Sequence, residues 1–157
     1  MVIYLMLNRH RPAQIFFAGA LLLTAPSLAF AHARGGEQIQ EVTKALQGNP
    51  MDPTLLLRRG RLYLDQKSYP EAIADFDRAL ESQPNDRSPL MYKGQVLQRL
   101  GRYQEALACL DSYIRAGFPD SFAFELRAQV HELLNDPETA IQDLRRAVEI
   151  QEGVRAW

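Results

Sequence analysis

The chain has one cysteine, Cys109, and three histidines, two of which, His10 and His32, fall within the first 33 residues. That scarcity excludes several chemistries. One thiol makes no intramolecular disulfide, and beyond residue 33 only His131 remains to serve a serine nucleophile as base or a metal as nitrogen ligand. His131 opens HELLN, which has Asn135 where a zinc-protease helix places its second histidine. The pair Gly35-Gly36 lacks the strand, helix and lysine context of a phosphate loop and reads as a linker. A clustered basic face is also missing: the formal charge is -1, and without residues 1–33, which hold Arg9 and Arg11 but no acid, 16 basic residues face 19 acidic ones. A nucleic-acid partner is therefore not expected. Nor is any cofactor, metal site or catalytic residue. Cys109 lies between Ala108 and Leu110 with no adjacent cation to favour its thiolate, so it reads as a packing residue. Asp75 and Asp77, two apart on a helix, point in different directions and read as a solvated outer face rather than a catalytic pair.

The absence of acid from residues 1–33 goes with a definite order: Arg9, His10 and Arg11, then the apolar IFFAGALLL, then Pro26 and LAFAHARGG. This is the order of a secretory signal, with small residues flanking a cut after Ala31 or Ala33. The expected location is then outside the cytoplasm, in a bacterial periplasm. The alternative is an uncleaved membrane anchor over residues 12–31, because that run approaches the ~20 residues needed to span a bilayer.

What the chain does contain is repetition. Three segments align in register, from Pro53, Arg87 and Ser121. Their fourth positions are Leu56, Leu90 and Phe124; their eighth, Gly60, Gly94 and Ala128; their eleventh, Tyr63, Leu97 and His131. Their twentieth positions are Ala72, Ala106 and Ala140, and their twenty-fourth Phe76, Leu110 and Leu144. Small residues at two fixed positions let paired helices approach, and large ones fill the space beside the contact. The spacing predicts helices at 37–48, 53–66, 70–82, 87–100, 104–116, 121–134 and 138–151. Gly101 and Asn135 stand where a left-handed residue ends the first helix of a pair.

This 34-residue pattern resembles the tetratricopeptide repeat over residues 53–154. SYPEAI and RYQEAL are similar to the start of that family's second helix, and Ala45 and Pro50 stand one period before Ala79 and Pro84. The resemblance implies an all-α, right-handed α-solenoid of helix hairpins, three repeats after a half-repeat helix. The organisation is a leader (1–33), linker and half-repeat helix (34–52), repeats at 53–86, 87–120 and 121–154, and a tail (155–157). The departures are Tyr113 for a small residue, Phe118 and Glu152 for prolines, and His131 for a tyrosine. The joint between the second and third repeats is therefore expected to deviate most.

The resemblance also implies a function. In this family the first helices of successive repeats line a concave groove that holds a peptide or partner helix. The matching positions are Leu57, Arg61, Met91, Gln95, Gln98, Phe122, Glu125, Gln129 and Glu132. Leu57, Met91 and Phe122 are expected as apolar anchors, the amides as partners of peptide backbone, and Arg61 as partner of a carboxylate. The basic clamp that holds chaperone C-termini is not matched: Leu57, Tyr92, Phe122 and Leu126 stand there, with Arg61 alone suited to it. The expectation is a non-enzymatic interaction scaffold of the cell envelope. The alternative is a self-associating spacer, because terminal repeats need a polar cap whereas Ala140, Ile141, Leu144 and Val148 form an apolar stripe close to Trp157.

Overall fold

The computed structural model describes residues 25–117 and 120–155, with side chains at 34–117 and 120–153. Among them are seven α-helices and no strand: α1 (Ala25–Leu46), α2 (Pro53–Asp65), α3 (Tyr69–Ser82), α4 (Ser88–Arg99), α5 (Tyr103–Arg115), α6 (Ser121–Leu133) and α7 (Pro137–Arg155). Residues 1–24, which carry most of the leader reading, lie outside the described residues, as do Phe118, Pro119 and Trp157. No described helix is long and apolar enough to cross a membrane.

Local chemistry sets the helix ends. Asp52 caps α2, its Oδ1 accepting from the Leu55 N–H at 3.0 Å, and Pro53 follows at the first helical position, where a missing N–H costs nothing. Asp120 caps α6 by accepting from the Phe122 N–H at 2.9 Å. The three turns within hairpins are built alike. Lys67, Gly101 and Asn135 all have positive φ, at 61°, 74° and 60°. In each turn the next N–H, of Ser68, Arg102 or Asp136, reaches back to the carbonyl of Tyr63, Leu97 or His131 at 2.8–2.9 Å, the six-to-one bond that closes a helix on a left-handed residue. Gly101 and Asn135 match the sequence reading. Lys67 was not expected there, because a lysine has no local bond that favours the left-handed region.

Paired helices pack as the small positions require. A Cβ on Gly60 would stand 2.5 Å from Phe76 Cε1, and one on Gly94 would stand 2.9 Å from Leu110 Cγ. Phe76 and Leu110 are thereby buried against bare backbone, a burial worth about 1.5–3 kcal/mol for each side chain. Core residues continue across the repeats: Val42 and Leu46 of α1 pack with Leu56 and Ala79, and Phe76 packs with Val96. Ala106, Leu110 and Tyr113 then pack with Ala123, Leu126 and Val130.

The half-repeat helix differs from its expectation. Within the described residues α1 spans Ala25–Leu46, so Gly35 and Gly36 lie inside a helix and not in a linker. Contact with the next hairpin accounts for one of them, since a Cβ on Gly35 would come 2.7 Å from the Gln66 amide nitrogen. Within the second repeat the fold accommodates the bulky Tyr113, and the joint that follows carries the left-handed Gly117 at φ 86°. Tyr113 is buried and its hydroxyl donates to Asp120 Oδ2 at 3.1 Å, so the bulky residue fastens the carboxylate that caps α6.

Candidate functional site

The backbones of the first helices approach one another, α2 to α4 and α4 to α6, whereas those of the second helices α3, α5 and α7 stay farther apart in succession. A stack whose first helices are closer together than its second ones curves with the first helices inside. The inner face is therefore that of α2, α4 and α6, which carry all nine positions implied by the repeat.

Side-chain contacts tie that face together. The Arg61 guanidinium of α2 lies over the Tyr92 ring of α4 at 5.1 Å, a cation–π contact that holds the arginine extended while leaving its N–H edge to solvent. Gln98 of α4 donates to the Gln129 carbonyl of α6 at 3.1 Å. Each amide keeps one further group, the Gln98 oxygen and the Gln129 NH2, for a ligand. Phe122 and Glu132 are exposed, Leu57 and Gln95 half-buried. Glu125 accepts from the Gln151 amide of α7 at 2.8 Å. Met91 is the exception and corrects the expectation of an anchor there. It is only 7% exposed and belongs to the core around Leu97, Leu110 and Leu126, because the fifth position of the middle repeat is roofed by neighbours on both sides. Tyr92, beside it, stands at a clamp-equivalent position but was not among the nine groove positions, and it is the residue that meets Arg61.

A second ordered array lies between the helices. Arg59 forks onto Asp75, at 2.6 and 2.7 Å, and also donates to Thr43 at 3.1 Å. Arg127 forks onto Asp143, at 2.9 and 2.5 Å, and reaches Asp111 at 2.6 Å. Lys93, one period after Arg59, donates to Asp77 at 2.5 Å. Each cation thus binds the residue 16 positions earlier, in the preceding repeat, and each arginine also binds the aspartate 16 positions later, in its own. Asp75 and Asp143 are buried, which for Asp75 overturns the reading as a solvated face, while Asp77 stays half-exposed; the two do point apart, Asp75 into its own hairpin and Asp77 toward the next. The Arg59 and Arg127 guanidiniums are held above their ordinary pKa, chiefly by the carboxylates of Asp75 and Asp143. A recurring Arg/Lys at 59, 93 and 127 facing Asp77 and Asp111 was the signal that would have revealed this array.

In the middle repeat the position equivalent to Asp75 is Cys109. The fold brings it within the field of Lys93, which favours the thiolate, but burial is the larger effect and pushes the thiol pKa up. A thiol so placed is a poor nucleophile. His131 lies 3.4 Å from Asp136, and among the described residues no group of three or more His, Cys, Asp or Glu side chains is placed to hold a metal ion.

These features define a helical-repeat interaction module. The family model described as "Anaphase-promoting complex, cyclosome, subunit 3" matches residues 65–147, and that described as "Tetratricopeptide repeat" matches residues 37–87. The chain belongs to the tetratricopeptide repeat family. No curated protein sequence matches it. Among solved structures it is similar to MamA, with a TM-score of 0.67 at 19% identity over 73% of this chain and 67% of that one. It is also similar to MamA 41-end from Desulfovibrio magneticus RS-1, with a TM-score of 0.68 at 22% identity over 83% and 73%. YrrB, described as "a TPR protein with an unusual peptide-binding site", matches with a TM-score of 0.64 at 28% identity over 71% of this chain. The match spans 57% of YrrB's own length.

Proposed function

We propose that the chain is a non-enzymatic scaffold of the cell envelope that takes an extended peptide or partner segment along the inner face of α2, α4 and α6. The observation that carries this is the bridged row Arg61–Tyr92 and Gln98–Gln129, which crosses both joints of the inner face with donors and acceptors left over. Arg61 meets a carboxylate, the two amides pair with ligand backbone, and Phe122 gives an apolar foothold near one end. The peptide-binding description of YrrB agrees with this reading by analogy. The envelope location rests on the leader-like order of residues 1–33.

The test is capture from an envelope fraction by the full chain and by a variant carrying Arg61→Glu, Gln98→Ala and Gln129→Ala. The variant is expected to keep its melting temperature and to lose the partner; retention of the same partner by both would sink the proposal. For location, the expected product is a chain recovered from the periplasm whose N-terminus follows Ala31 or Ala33. Recovery from the cytoplasm with residues 1–33 intact would overturn that part alone.

A further inference from the structure

Four helices carry the same apolar stripe one period apart: Ile39, Val42 and Leu46 on α1; Ile73, Phe76 and Leu80 on α3; Leu107, Leu110 and Ile114 on α5; Ile141, Leu144 and Val148 on α7. On α1, α3 and α5 the stripe is buried or half-buried, and its members reach the first helix of the following hairpin, as Val42 and Leu46 do with Leu56, Phe76 with Val96 and Leu110 with Leu126. On α7 it is open, with Ile141, Leu144 and Val148 exposed by 52%, 41% and 51%. Among the described residues one docking interface is thus built three times, and its fourth copy is exposed.

Charge says what the fourth copy selects. At each covered joint the arriving helix brings a cation, Arg59, Lys93 or Arg127, and the receiving helix meets it with an oxygen of Thr43, Asp77 or Asp111. One period later the receiving position on α7 is Arg145, exposed and with no hydrogen bond or ion pair among the described residues. A helix of this chain's own kind would bring its cation onto Arg145. We infer that the open face of α7 docks an amphipathic helix of a partner protein that carries an acidic residue where this chain's own first helices carry Arg or Lys. The apolar stripe supplies area, as it does at the three internal joints, and the reversed charge supplies selection against like-charged helices, which such a juxtaposition rejects.

The test uses two helix-constrained peptides of the α6 sequence SFAFELRAQVHEL, one unaltered and one with Arg127→Glu, titrated against the full chain. The Arg127→Glu peptide is expected to bind about tenfold more tightly at low salt. Arg145→Glu in the chain, at an exposed position that leaves the fold unchanged, is expected to reverse the order. Equal binding of both peptides, binding of neither, or a preference that survives Arg145→Glu would each overturn the inference. So would a dimer that forms with rising concentration and is abolished by Leu144→Asp, because the occupant would then be a second copy of this chain.

Discussion

Repeats 1 and 3 hold their helix pairs with a buried fork, Arg59 on Asp75 and Arg127 on Asp143, whereas repeat 2 has Lys93 and Cys109 at the same two positions. The middle repeat is not short of a bond for that. Lys93 turns wholly to Asp77 of the preceding repeat, and Cys109 leaves no carboxylate behind to be satisfied. Buried pairs behave this way because the charges are costly singly and tolerable together: removing both leaves a neutral site, and removing one strands a charge in a dry place.

The sharpest way to break that comparison is to remove one partner. Asp75→Ala is expected to destabilise the chain by about 4 kcal/mol, since it leaves the largely covered Arg59 with only the Thr43 hydroxyl and the Tyr63 ring and no carboxylate, whereas Cys109→Ala should change stability by less than about 1 kcal/mol. Urea unfolding of the two variants measures the contrast. Equal effects would mean that the fork is decorative. Next in size is the eighth position, where repeats 1 and 2 carry glycine and repeat 3 carries Ala128. Gly60→Ala drives a methyl into the fully buried Phe76 ring and should cost about 2 kcal/mol despite the better helix propensity of alanine; thermal melting checks it.

A smaller and opposite effect is expected at the turns. Lys67 holds the left-handed conformation that repeat 2 gives to Gly101, so Lys67→Gly should stabilise by about 1 kcal/mol and raise the melting temperature. The least effect concerns Tyr113, which stands where the first and third repeats have Ala79 and Ala147. Loss of solvation at Tyr113, followed by the neighbouring Asp120, pushes its phenol pKa up to about 12. A folded pKa above the unfolded ~10 means stability that is full below that pH and declines as pH rises toward the folded value. Ultraviolet titration should show one tyrosine ionising late, and Tyr113→Phe should remove both the late phase and that part of the alkaline decline.

Much of this was legible beforehand, for a specific reason. Gly60, Gly94 and the alanines at 72, 106 and 140 mark helix contacts that nothing larger can occupy, and repetition at a constant period makes them visible three times over. The helix bounds follow within a few residues, except for α1, whose glycines suggested a break. The inner face was legible as a set of positions but not as a surface. Met91 and Leu57 share a register position, yet one is sealed by neighbours on both sides and the other is half-buried. Asp75 and Asp77 look alike in the sequence, and only their partners distinguish them, Arg59 of the same hairpin for one and Lys93 of the next for the other.

Periodicity alone determined the family, the hairpins and the order of the stack, because helix packing depends on size and spacing that single positions record. Tertiary structure alone decided which charges are buried and which apolar stripe stays open. Those outcomes depend on what covers a side chain, and the covering residues stand 16 or more positions away in the sequence.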